Sequence, residues 1–135
     1  MKSLLLVLLF TFCFCYSDLE ALQRVVYCEA RGESEDGKLA VAYTVINRSS
    51  ISGKSIEYEA TKPSQFCVWE KKMTETAAAL KCKTAAYTAI ERDSPDPSNG
   101  ATFFYSGSNV PYWAKGKTPC AVIGGHKFFK NIAPY

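Results

Sequence analysis

Glu29 is the residue whose type and setting point most directly to chemistry. It follows Leu22, Val25 and Val26 by seven, four and three positions, so a helix would carry its carboxylate beside their apolar face. A carboxylate there must be satisfied or protonated. It also falls in the last turn of a helix that Gly32 ends, at the negative end of the dipole, with the acidic cluster Glu33, Glu35 and Asp36 just beyond. All three conditions raise a carboxyl's affinity for its proton. A carboxylic acid held neutral near pH 7 is what a glycosidic oxygen needs from a general acid. Pairing of Glu29 with Arg31, or with a basic residue elsewhere, is the other reading that the same spacing allows.

The remaining reactive types are one His and six Cys. Lys2 precedes an apolar stretch from Leu4 to Phe14 broken only by Thr11. That is too short for the roughly 20 residues that span a bilayer and suits the apolar region of a cleaved signal. Residues 1–17 are therefore expected to be a signal peptide, and 18–135 a single catalytic domain that is secreted or lumenal, with no stable membrane insertion. Cleavage removes Cys13 and Cys15. Cys28, Cys67, Cys82 and Cys120 remain, an even set bound for an oxidising compartment. Four Cys allow three connectivities, between which sequence does not choose; Cys67 with Cys82 and Cys28 with Cys120 is the pairing carried forward. A thiol hydrolase built on Cys28 and His126 is a rival that a disulfide at Cys28 excludes. His126 is the only His, so it cannot form a zinc site with others, and with the Cys oxidised no metal or other cofactor is expected.

Such residues need a scaffold, and 135 residues with 47% hydrophobic and 21% charged content describe one globular domain. With 16 basic against 13 acidic side chains, the balance gives no argument for nucleic acid or an anionic membrane. The patterning changes from helical to strand-like near Pro95. Leu19, Leu22, Val25 and Val26 recur at helical spacing, and Ser17 with Glu20 has the form of a capping box. Ser34 is placed to cap a second helix whose Leu39, Ala42, Tyr43 and Ile46 share a face, with Ser49 to Gly53 as the stop. An Ala-rich helix from about Thr74, carrying Leu80, Ala86, Tyr87 and Ile90, ends before Asp93-Ser94-Pro95. Ala101 to Ser106 reads as a strand, as do Cys120 to Ile123 and His126 to Phe129, joined by Gly124-Gly125 as a hairpin. The expected class is α+β, with a small antiparallel sheet in the C-terminal part.

Longer motifs add to this reading. Val26-Tyr27-Cys28-Glu29-Ala30-Arg31-Gly32-Glu33, then Gly37-Lys38-Leu39-Ala40-Val41-Ala42 and Val45-Ile46-Asn47-Arg48, resemble the opening signature of the SleB/CwlJ cell-wall hydrolases. Pro63-Ser64-Gln65-Phe66 resembles that family's P-x-Q-F element. Asp96-Pro97 through Gly100-Ala101, with Phe104-Tyr105, resembles its D-P-x-x-x-G-A segment. Trp113 and Ile123-Gly124-Gly125-His126-Lys127-Phe128 resemble its closing block. Each piece is weak alone, but their common order makes a specific signal.

The resemblance implies a lysozyme-like fold, related to goose-type lysozymes and resuscitation-promoting factors. It implies action on peptidoglycan glycan strands between N-acetylmuramic acid and N-acetylglucosamine, as a lytic transglycosylase or muramidase. The first Glu of the family's E-A-x-G-E element is its catalytic acid, which falls on Glu29. Lytic enzymes of this kind need no second carboxylate, because the same Glu then helps the sugar's 6-hydroxyl close a 1,6-anhydro ring. Two-carboxylate hydrolysis requires a partner about 5 Å away for retention or about 6.5 to 9.5 Å for inversion. Glu33 is the nearest in sequence, and past Gly32 it is expected to turn away, hold the loop or act electrostatically beside substrate. Gln65, Phe66, Tyr105, Trp113 and His126 are candidates for lining the glycan groove, through aromatic faces and hydrogen-bonding tips; simple core packing is the competing role, above all for Phe66.

Cys28 directly before the presumed acid, and a Cys-rich pattern, depart from the family. They suggest a monomeric, stand-alone extracellular enzyme rather than a spore-germination factor. Asn47-Arg48-Ser49 fits a glycosylation sequon, yet it coincides with the family's Asn-Arg element at a helix end. A catalytically inactive glycan-binding or inhibitory protein on the same scaffold is the alternative function, since fold does not establish activity.

Overall fold

The helical part is built around one nearly enclosed helix. The computed structural model describes residues 18–63, 65–66 and 72–132. Helix α1 covers residues 18–30, and its Ala21, Leu22, Val25, Val26, Tyr27 and Ala30 are buried. Helix α2, Glu35–Ser52, starts as its sequence dictates: the Ser34 hydroxyl accepts the Gly37 N–H at 3.1 Å, and Glu35 and Asp36 sit in the first turn. Both features suit the positive end of the dipole. Every residue from Gly37 to Ile46 is buried, the pattern of a helix packed on all sides. Gly53, at φ 72°, ends α2 in the left-handed conformation, for which Gly carries no steric cost. Ser49 to Ser52 thus remain helical, and the stop comes at the glycine itself.

Two shorter packings complete this part. Helix α3, Ile56–Thr61, is capped twice: the Ser55 hydroxyl accepts the Tyr58 N–H, and Asp18 Oδ1 accepts the Glu57 N–H at 2.9 Å. Helix α4 spans Thr76–Glu91. Its buried stripe is Cys82, Ala85, Ala86 and Ala89, whereas Leu80 and Tyr87 are 64% and 53% exposed. Of the four residues singled out on this helix, Ala86 is buried and Ile90 packs against the core, while Leu80 and Tyr87 turn outward. Close packing on α2 selects the small side chains of the Ala-rich α4, so the larger residues turn outward.

The sheet has strands β1 (Phe103–Ser106), β2 (Ala121–Ile123) and β3 (His126–Phe129) in the antiparallel order β1-β3-β2. Phe103 pairs with Phe129 and Ser106 with His126, while Ile123 also faces His126 across the hairpin. Alternation along the strands sends Phe104, His126 and Phe128 to one side and Phe103, Tyr105 and Phe129 to the other. Phe128 joins the helical core, with Phe104 packed against it. Phe103 and Phe129 form a second cluster with Ala114, Tyr105 and Trp113. Among the described residues no helix is long and apolar enough to cross a membrane.

Candidate active site

Glu29 occupies the last turn of α1 and is half-buried, one turn beyond the fully buried Val25 and Val26. An open pocket of about 350 Å³ is lined by Cys28, Glu29, Ala30, Arg31, Gly32 and Glu33. Arg31, the nearest candidate partner for Glu29, turns elsewhere: its guanidinium lies over the Tyr27 ring at 5.0 Å, with Nε 3.8 Å from Glu75 Oε1. Tyr27 Oη in turn accepts the Glu75 N–H at 3.1 Å, tying α1 to the segment that leads into α4. A second pocket, of about 550 Å³, shares Arg31, Gly32 and Glu33 with the first and continues past Lys38, Glu75 and Lys81. The turn after Glu29 thus forms a ridge between two concavities.

Glu33 is held at both ends. Its N–H donates to Ala30 O at 3.0 Å, and its carbonyl accepts Lys38 Nζ at 2.9 Å. Lys38 is almost wholly buried and also reaches Glu35 Oε1 at 3.1 Å. The Glu33 carboxylate reaches across to the sheet, where Oε1 accepts the Gly125 N–H at 3.4 Å and lies 3.2 Å from His126 Nδ1. That second contact is an ion-pair distance whose direction departs from a hydrogen bond. Gly124 and Gly125 make the approach possible, because a Cβ at Gly124 would collide with Glu33 Oε2 and one at Gly125 would lie 3.3 Å from Oε1.

The other expected site residues fall into two groups. His126 is buried and meets Phe104 edge-on at 5.3 Å; Phe104 stacks on Phe66 at 6.1 Å. Arg48, buried at the end of α2, lies over Phe66 at 4.9 Å and over Phe103 at 4.4 Å. It donates from Nη1 to Gln65 Oε1 at 2.9 Å and from Nε to Thr102 O at 2.5 Å. Glu33, His126, Phe66 and Gln65 are therefore joined through Phe104 and Arg48. Tyr105 and Trp113 lie away from Glu33 and His126 and connect to Arg48 through Phe103, which meets Trp113 at 5.0 Å. They pack against each other at 6.0 Å, and both contact Phe129, on the opposite face of the sheet.

Arg48 and Asn47 are the members that the sequence reading undervalued. Asn47 Nδ2 donates to Asp96 Oδ2 and to Ala101 O, each at 2.9 Å. Asp96 also accepts the N–H groups of Ser98 and Gly100. One Asn-Arg pair thus fastens the Asp-Pro loop, β1's approach and the Gln65-Phe66 segment to α2. Both Nδ2 hydrogens of Asn47 are in use, so attaching a glycan there would break one of these bonds. The signal was present in the motif order, but the contacts it encodes are long-range.

The Cys pairing is overturned. Cys82 and Cys120 are free thiols, so neither Cys67–Cys82 nor Cys28–Cys120 forms. Cys82 belongs to the inner stripe of α4, and Cys120 donates to Ser98 O at 3.2 Å where β2 begins. Burial pushes both thiols above the ordinary range, which makes them poor nucleophiles. Cys67, the sequence position Ser64 and the expected signal segment with Ser17 lie outside the described residues.

The model of the Cell Wall Hydrolase family matches residues 32–129, taking in Glu33, the Asn-Arg pair and the hairpin. The chain belongs to the cell wall hydrolase family. The match begins three residues after Glu29, so it covers every candidate groove residue but neither the presumed acid nor Cys28. Two solved structures are similar. The catalytic domain of the germination-specific lytic transglycosylase SleB from Bacillus anthracis is 25% identical, with a TM-score of 0.67, over 84% of this chain and 94% of that one. The catalytic domain of the Bacillus cereus SleB protein is 23% identical, with a TM-score of 0.68, over 85% and 91%. No match was found among curated proteins. The α+β expectation holds: a helical domain with a small three-stranded antiparallel sheet, of the lysozyme-like kind. The family motifs of this cell wall hydrolase meet at one place: the turn after α1, the end of α2 and the β2–β3 hairpin.

Proposed function

We propose that the protein is a secreted lytic transglycosylase that cleaves peptidoglycan between N-acetylmuramic acid and N-acetylglucosamine, with Glu29 as its single general acid and base. In the first half-reaction the Glu29 carboxyl gives its proton to the glycosidic oxygen as the bond from C1 of muramic acid breaks. The carboxylate then takes the proton of the 6-hydroxyl as O6 bonds to C1, closing the 1,6-anhydro ring and returning Glu29 to its acid form. No water is consumed. The observation that carries this reading over two-carboxylate hydrolysis is the commitment of Glu33. Its Oε1 is turned onto the Gly125 N–H and His126, so the carboxylate is engaged in holding the hairpin against the turn after α1.

Secretion is supported by the Lys2-led apolar stretch and by the Cys inventory. Cys28 carries no titrating thiol, whereas Cys82 and Cys120 are free. A thiol hydrolase at Cys28 is correspondingly disfavoured. Denatured, oxidised protein without residues 1–17 is expected to show two free thiols; four would remove the disulfide. Activity is tested by release of soluble fragments from purified peptidoglycan beside Glu29→Gln. General acid catalysis contributes about 10²- to 10⁴-fold, so the variant is expected to lose at least about a hundredfold. A variant as active as the parent would displace Glu29, and binding without turnover by the parent would favour the glycan-binding alternative.

A further inference from the structure

The larger concavity beside the Glu29 pocket, about 550 Å³, is walled by charge. Its lining takes Arg31 and Glu33 from the turn after α1, Glu35 and Lys38 from α2, and Glu75 and Lys81 from α4 and its approach. No aromatic ring is among the lining residues, and a ring face is what a further sugar would need. The first turn of α4 contributes only short side chains, which leaves room for a peptide main chain. Most of the charges are matched within the protein. Lys38 is bound to Glu35 and to the Glu33 carbonyl, the Glu33 carboxylate is turned onto the hairpin, and Arg31 lies 3.8 Å from Glu75. Lys81 is exposed and has no partner among the described residues. The two concavities share Arg31, Gly32 and Glu33. Gly32 leaves that ridge bare, since it is exposed and nothing lies within 4 Å of where a Cβ would stand.

We propose, resting on the reading of the Glu29 pocket as the cleavage site, that the second concavity is a subsite for the peptide stem of peptidoglycan. The stem enters over Gly32, and Lys81 and Arg31 take one of its free carboxylates. Muramic acid carries this peptide on the lactyl ether at C3, so a ring seated at Glu29 releases its stem beside the ridge. Four extended residues reach about 13 Å, and the ridge is a single turn of chain. Lys81 supplies the unmatched positive charge. Arg31 is held to Glu75 by a pair whose side chains are 40% and 61% exposed, a weak attachment, and its planar fork fits a carboxylate in two places. The subsite thus selects strands whose stems carry free carboxylates.

The test uses N-acetylmuramyl-L-alanyl-D-glutamate and the same muropeptide with both carboxyls amidated, each titrated into the mature protein and followed by NMR, a readout that needs no turnover. The diacid is expected to shift the amide signals of Arg31, Gly32 and Lys81, and the diamide to bind about threefold more weakly. Lys81→Ala should weaken the diacid about threefold and Lys81→Glu about tenfold, with Lys81→Arg within about twofold of the parent. Lys83→Glu makes the same charge change on α4 outside the cavity and should keep the parent's affinity. Four results would each overturn the proposal: no shifts at Arg31 and Lys81, a diamide bound as tightly as the diacid, a diacid affinity unmoved by Lys81→Glu, or an equal loss in Lys83→Glu. Failure of the underlying reading appears separately, as fragment release retained by Glu29→Gln.

Discussion

The two faces of the three-stranded sheet share strands and differ in purpose. One face carries Phe104, His126 and Phe128 against the helices and meets Glu33 through His126 and Phe66 through Phe104, while Arg48 bridges Phe66 and the other face's Phe103. The other carries Phe103, Tyr105 and Phe129 beneath Trp113, an aromatic cluster with its own small core. A single residue step along a strand moves a side chain from one to the other. Residues adjacent in a motif, such as Phe104 and Tyr105, therefore work on opposite sides. The difference teaches that a family motif can couple a site residue to a support residue without placing both in the groove.

The comparison can be broken at several points. Phe128→Ala removes a fully buried ring that joins the sheet to the helical core, and a loss of about 3–5 kcal/mol in chemical denaturation is expected; a loss below about 1 kcal/mol would mean the two parts do not share a core. Arg48→Ala leaves Gln65 Oε1 and Thr102 O without their donor. About 3 kcal/mol of stability should go, and fragment release should fall further than unfolding explains, because Gln65 and Phe66 lose their anchor. Trp113→Ala probes the far face. It should cost about 2 kcal/mol while kcat/KM of the folded protein stays within about threefold; a tenfold loss would extend the groove around the sheet edge. Tyr105→Phe, the smallest change, should stay within about 0.5 kcal/mol with activity unaltered, whereas a marked rise in KM would return Tyr105 to the groove.

Much of this architecture was legible beforehand where local chemistry decides it. Ser34 caps α2 and Gly124-Gly125 turns the hairpin, because caps and tight turns are written in a few adjacent residues. Helix α3 left no periodic trace, since six residues make too few turns to show one. On α4, size decides which side faces inward: Ala85, Ala86 and Ala89 are buried whereas Leu80 and Tyr87 are exposed, which the composition of the helix alone does not indicate. The site was legible in part. Glu29 stood out by its setting, and Glu33 by its place in the motif. That Gly124 and Gly125 exist to admit Glu33 depends on a contact spanning some ninety positions, which no local pattern encodes. The Cys pairing failed for the same reason, as pairing is a distance and not a spacing.

The most direct test of the account is mass spectrometry of the muramic ends released from purified peptidoglycan by the oxidised protein, run beside Glu29→Gln. The account predicts 1,6-anhydro-muramic ends that disappear in the variant. Reducing muramic ends would contradict it, since they require a water activated by a second group and would return Glu33, or another carboxylate, to the chemistry.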